Sequence, residues 1–229
     1  DAYDIGMSNM GLGILYDILN KRDGVLAERV YAPWEDMEAE IRRERALLWG
    51  LENRRPLREF DIVGFTLQYE LTYSNVLNML DLGGIPVRAR DRTDDHPLVI
   101  AGGSGAFNPE PLSPFIDAFV LGEGEDAVVE LAERVAEWKR SRTPRATRLR
   151  ELLAMPGVYV PSMYEARYDA AGHLAGLEPL VPEAPKAIRR RIVENLPPPL
   201  LKPIVPFLQT VHDRASVEIQ RGCAQGSSF

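Results

Sequence analysis

The sequence predicts an α/β fold. A doubly wound, Rossmann-type parallel sheet is expected over residues 1–140, followed by a small helix and β-hairpin region over 141–180. Three observations predict it. Short apolar runs alternate with segments of helical periodicity. Glycines close the apolar runs, at Gly102–Gly103 and at Gly122. The resulting order of strand, glycine-rich loop and helix repeats, which is the grammar of a parallel sheet with helical crossovers.

The elements follow in chain order. DAYDIGMSNMG is loop-like and leads directly into GLGILYDILNKR (11–22), whose apolar residues at 12, 15, 18 and 19 have helical spacing. A helix entered without a strand before it suggests a first strand upstream of Asp1. The natural protein is therefore expected to begin earlier. ERVYA (28–32) reads as a short strand and MEAEIRRERALL (37–48) as an amphipathic helix. FDIVGFTL (60–67) is a buried-strand run. YSNVLNMLDLGG (73–84) is a helix closed by glycines. PLVIAGG (97–103) and DAFVLGEGE (117–125) are further buried strands, and DAVVELAERVAEWKR (126–140) is a long helix. Right-handed crossovers place the loops after these strands on one edge.

Beyond residue 140 the pattern changes. RATRLRELLAM (145–155) is a helix stopped by Pro156–Gly157. Residues 158–180 alternate around Asp169–Gly172, as a β-hairpin with a longer turn does. Residues 181–213 form a proline-rich, partly extended linker. RASVEIQRG (214–222) reads as a strand ending immediately before Cys223.

Composition narrows the class. Hydrophobic content of 45% and charged content of 27% belong to a globular chain. A net charge of −7 argues against broad binding to a phosphate backbone. The basic runs 139–150 and 186–191 read as solvated helix or linker faces, or as contacts to a charged partner. A single cysteine excludes an intramolecular disulfide framework and fits a reducing compartment. There is no apolar run of about 18 residues and no signal-peptide pattern, so the cytoplasm is the expected location.

Ligands of such sheets sit beyond the carboxyl ends of the strands, near a reversal of strand order. Three loops qualify: one with Gly6, Ser8 and Asn9, one with Gly102, Gly103 and Ser104, and one with Gly122, Glu123 and Glu125. Glycine lets a ligand approach the backbone, and amides at helix starts favour anions or polar edges. Such glycines also simply close tight turns. Residues 11–16 read GLGILY, without the third glycine of a dinucleotide fingerprint, and no Walker A lysine is present. Gln68, Tyr69 and Glu70 follow the central strand and point to the same edge, or cap a helix start. His96, His173 and His212 share no metal-ligand spacing and read as structural or exposed. Cys223 taken alone is a small hydrophobe, a reactive thiol or a metal ligand.

VEIQRGCAQG (217–226) resembles the opening of the radical S-adenosylmethionine (SAM) enzymes, where the first barrel strand ends in RGC and a CxxxCxxC motif follows. Ser227 stands at the second cysteine position, and Phe229 is the aromatic that precedes the third. YDIGMSNMGLGILYDIL, DIVGFTLQYELTYSNVLNMLDLGGIP and PLVIAGGSGAFNPEPLSPFIDAFVLGEGE resemble the cobalamin-binding-like domain that precedes such barrels in an uncharacterised branch of that family.

The resemblance covers about residues 1–226. It implies a cobalamin-binding-like domain at 1–140 and the start of a truncated radical SAM barrel at 214–229. For the full-length parent it implies a 4Fe–4S cluster with Cys223 as one ligand, SAM as cosubstrate, a small-molecule or other substrate, and the rest of the barrel as partner. The DxHxxG motif is absent, so cobalamin would bind without a lower histidine or not at all. One thiolate does not replace the three the cluster takes from protein, so this chain itself is expected to be inactive. Three readings stay open: an enzyme fragment, a binding module for cobalamin, a nucleotide or the substrate, and a structural lid or docking platform.

Overall fold

The computed structural model describes residues 2–196 together with Pro198, Ile204, Glu218 and Arg221. Its centre is a four-stranded sheet of β1 (Ile62–Thr66), β2 (Leu98–Gly102), β3 (Ala118–Val120) and β4 (Val158–Tyr159), side by side in that order. The first three strands are parallel and β4 runs antiparallel to β3. Side chains alternate across the pleat, and helices cover both faces. Val63, Val99, Ala101 and Phe119 pack on one side with Ile41 of α3 (Glu35–Arg43) and Val76, Met79 and Leu80 of α4 (Tyr73–Leu82). Leu98, Ile100, Ala118 and Val120 pack on the other with Leu131 and Trp138 of α5 (Glu125–Ser141) and Leu152 of α6 (Arg145–Leu152). β2 is apolar on both sides because both sides are covered. Phe119 and Leu80 are fully buried, each a gain of about 1.5–3 kcal/mol.

The chain enters through a short α1 (Tyr3–Gly6) and then α2 (Met10–Asn20), which packs along α5. Asn9 caps α2 by accepting from Leu12 N at 2.9 Å. The strand order runs without reversal, so the described sheet has no switch point. The loops after the strands therefore mark its carboxyl edge without a reversal of strand order.

Three sequence expectations change. Residues 28–32 are extended but pair with no strand. Arg29 is held by a turn, donating from N and Nε to Glu52, each at 2.8 Å, while its carbonyl accepts from Leu51. The helix expected over 37–48 ends at Arg43, because Arg45 turns left-handed at φ 52° and Ala46 N closes onto Ile41 O. Leu48 is then free to exchange backbone bonds with Leu57 and Leu82. The single hairpin expected over 158–180 divides at Pro161, which lacks a donor. Val158–Tyr159 joins the main sheet as β4, and the hairpin proper is β5 (Tyr164–Tyr168) with β6 (Leu174–Pro179). Its turn is held by Asp169, which accepts from Ala171 N and His173 N.

The basic run 139–150 is not all solvated. Arg145 is 7% exposed and donates to Asp117 Oδ2 at 2.5 Å. The same oxygen accepts from Val99 N at 2.7 Å and lies 3.0 Å from Arg92 Nη1. Arg92 also donates to the carbonyls of Pro86, Val87 and Phe115. This buried cluster ties the amino edge of the sheet together, opposite the candidate site.

No helix among the described residues is long and apolar enough to cross a membrane.

Candidate functional site

A cleft of about 490 Å³ opens at the carboxyl edge of the sheet. Its floor is the loops after β2 and β3, and its wall is residues 190–194 with Leu196 and Arg221. The volume is that of a small-molecule site. Its polar groups carry both signs: Arg190, Arg191 and Arg221 against Glu123 and Glu194, with the Ser104 hydroxyl at the rim.

The wall is placed by backbone pairing. Arg191 N donates to Leu121 O at 2.8 Å, and Glu123 N donates to Arg191 O at 3.1 Å. The Arg191 guanidinium reaches Glu130 Oε2 on the next turn of α5, at 3.0 Å from both Nη1 and Nη2. The partly extended linker expected over 181–213 thus lies as a strap across the sheet edge at Arg191.

The predicted site residues fall into two groups. Gly103, Ser104, Gly122 and Glu123 line the cleft together, while Gly102 ends β2 beside it and Glu125 meets its wall through Arg221. Gly6, Ser8 and Asn9 do not line the cleft. Ser8 Oγ donates to Ile5 O at 2.9 Å and Asn9 serves the α2 cap. The glycines allow close approach, but of the chain to itself. Gly103 has φ 99°, and a Cβ there would stand 2.6 Å from Leu67 O. Gly102 O accepts from Leu67 N at 2.7 Å, and Gly105 N donates to Leu67 O at 2.9 Å. Ser104 Oγ donates to Gln68 O at 3.1 Å.

The acidic pair of GEGE faces cations and amides. Glu123 accepts from Val193 N and lies 3.6 Å from Arg221 Nη1. Glu125 is 8% exposed as a whole residue and accepts from Arg221 Nη2. Arg221 also forks onto Glu218, with Nε to Oε1 at 2.5 Å and Nη2 to Oε2 at 2.7 Å. That fork holds the Glu218 carboxyl below its ordinary range. Hydrogen bonds from Arg221 to Glu218 and Glu125 raise the guanidinium's own pKa.

Gln68 turns back, donating to Thr66 Oγ1 at 2.5 Å, while Tyr69, Leu71 and Phe107 stand exposed on the loops after β1 and β2. His96 sits before β2, with its Nδ1 accepting from Thr93 N at 3.0 Å. His173 lies in the hairpin turn with its Nδ1 3.2 Å from Asp169. His212, Cys223 and Ser227 lie outside the described residues.

Arg191 falls in the basic run 186–191 and Arg221 in the RGC stretch, but the sequence assigns neither to the site. The two carboxylates of GEGE were the available clue, since half-buried acids call for cations and both arginines lie in the segments that follow.

The sequence supplies one of the three thiolates that a 4Fe–4S cluster of this class takes from protein. No group of three metal-ligating side chains occurs among the described residues. The sequence holds one cysteine, Ser227 follows it by four residues, and a neutral hydroxyl is a poor ligand for soft iron. This chain does not complete a cluster site by itself. Neither His96 nor His173 borders the cleft, and residues 190–193 line it from the side of the strap.

Searches of the curated proteins and of the solved structures found no match. Residues 11–161, from α2 through β4, match the family described as radical SAM proteins, N-terminal. The match takes in well over half of the sequence, and the chain belongs to that family of radical SAM N-terminal regions.

Proposed function

We propose that this chain is the N-terminal module of a radical SAM iron–sulfur protein and that its α/β domain holds or covers a small polar ligand at the carboxyl edge of its sheet. The observation that carries this is the wall of the cleft. The segment leading from the module toward Cys223 is strapped across the ligand edge at Arg191 and returns to it at Arg221. A ligand in the cleft would therefore sit between the module and whatever follows Cys223. The mixture of arginine and glutamate favours a polar ligand carrying charge of either sign over an apolar one.

By family, the full-length protein would carry a 4Fe–4S cluster and SAM, the source of the radical chemistry. The residues of this chain would supply binding, orientation and exclusion of water. A reducing, cytoplasmic setting suits the single thiol.

Anaerobic reconstitution with iron and sulfide tests the family chemistry. The chain as it stands should bind no stable cluster and release no deoxyadenosine from SAM. A version with Ser227→Cys, extended through the third cysteine of the motif and the barrel, should bind about four irons and release deoxyadenosine. Cluster binding by the unextended chain, or failure of the extended one, overturns the proposal.

A further inference from the structure

We infer that the Glu123–Gly124–Glu125 loop is the seat for the arginine that leads into Cys223, so that the α/β domain fixes where the cysteine-bearing segment begins. The inference rests on the reading above and names a positioning role for its carboxylates.

Three carboxylates surround one guanidinium. Arg221 takes Glu218 with two parallel bonds, Glu125 through Nη2, and Glu123 at the longer distance of 3.6 Å. The side chains are 10–25% exposed, so these ions are largely withdrawn from water. Glu125 is the most buried of them. A buried carboxylate without a counter-charge is strongly disfavoured, and Arg221 is its cation among the described residues. The arrangement suits arginine and not lysine. A planar fork with five donors can serve three acids at once, whereas an ammonium offers a single point of charge. The acid excess is eased by its place at the first turn of α5, where the helix dipole favours negative charge.

Glu123 and Glu125 lie on the module, and Arg221 lies two residues before Cys223. A chain covers at most about 7 Å in two residues. Fixing Arg221 therefore limits how far the backbone can travel before it reaches the cysteine. Glu123 also accepts from Val193 N, so one loop ties down the strap and the arginine together.

Hydrogen exchange on the intact chain, read on the peptide spanning 217–222, tests this. Glu125→Gln and Arg221→Lys should each raise exchange of that peptide by about tenfold, the scale of one lost charge-assisted hydrogen bond. Exchange in β2 and β3 should stay as in the wild type. Glu130→Gln, which removes the Arg191 partner one turn along α5, should leave the 217–222 peptide unchanged. An unchanged peptide in Glu125→Gln, or an equal rise in Glu130→Gln, overturns the inference. The readout needs neither iron nor SAM. Protection of this peptide in a chain whose extended form makes no cluster would keep the seat and discard the radical reading, and the reverse result would do the opposite.

Discussion

Gly122 lies directly against Arg191. A Cβ at Gly122 would stand 2.2 Å from the Arg191 carbonyl oxygen, and the backbone there is left-handed at φ 101°. Both facts forbid a side chain, because the space belongs to the strap that walls the cleft. Gly122→Ala should lose about 1–3 kcal/mol from its conformation alone, with a further loss as residues 188–193 are pushed off the sheet edge. Gly172, at φ 83° with nothing within 4 Å, provides the control, since Gly172→Ala should lose only the conformational part. Urea denaturation of the two variants compares them. Equal losses would show that the strap does not need that contact.

Asp117 carries two buried guanidiniums. Its side chain is 1% exposed, that of Arg92 0% and that of Arg145 8%. Burial pushes the Arg92 pKa down, and the nearby Asp117 carboxylate opposes this. Asp117→Asn keeps the shape and removes the charge, leaving two buried cations unpaired. The expected loss is about 3–5 kcal/mol. Glu59→Gln, at an exposed pair with Arg55, should change stability by less than about 1 kcal/mol. Chemical denaturation of both variants checks the contrast.

Tyr159 donates to Glu110 Oε1 at 2.7 Å from within the core. Burial, then the Glu110 carboxylate, pushes its pKa well above the ordinary tyrosine value. The native state thus keeps a proton that the unfolded chain releases near pH 10. The stability this provides is complete below about pH 10 and is lost as pH rises above it. Tyr159→Phe should be less stable at neutral pH by about 1–2 kcal/mol. It should also lose stability less steeply above pH 10. Burial raises Tyr31 and Tyr164 as well, so the slope should shrink but not vanish. Thermal melts from pH 7 to 11, with tyrosinate absorbance followed in parallel, decide it.

β2 was legible because burial on both faces forces a continuous apolar run, as in PLVIAGG; FDIVGFTL stood out as a short apolar run between polar segments, and α4 and α5 by their helical periodicity. β4 was hidden: two residues carry no periodicity, and Val158–Tyr159 resembles the hairpin residues that follow it. Residues 28–32 have strand composition, yet Glu52 captures Arg29 and no neighbour completes a ladder. The glycine loops were legible as places of close approach. What approaches them, Leu67 and the Arg191 strap, was not, because both contacts join backbone distant in sequence. The Arg92–Asp117–Arg145 cluster left no trace, since buried and solvated charges are spelled with the same letters.

β1 borders β2 on one flank only, and among the described residues its other flank, Ile62 to Thr66, faces no strand. Gly64 and Thr66 are exposed, and none of the residues from Ile62 to Thr66 is charged. Among the described residues these five strand residues, without a charge, a proline or a bulge, have no backbone partner on that flank and form a template on which a further strand can grow. A second copy of this chain meets the same donors and acceptors as any native neighbour would. Concentrated solutions should therefore join edge to edge through β1, and a single charge introduced by Thr66→Lys should keep the molecules apart without touching the cleft.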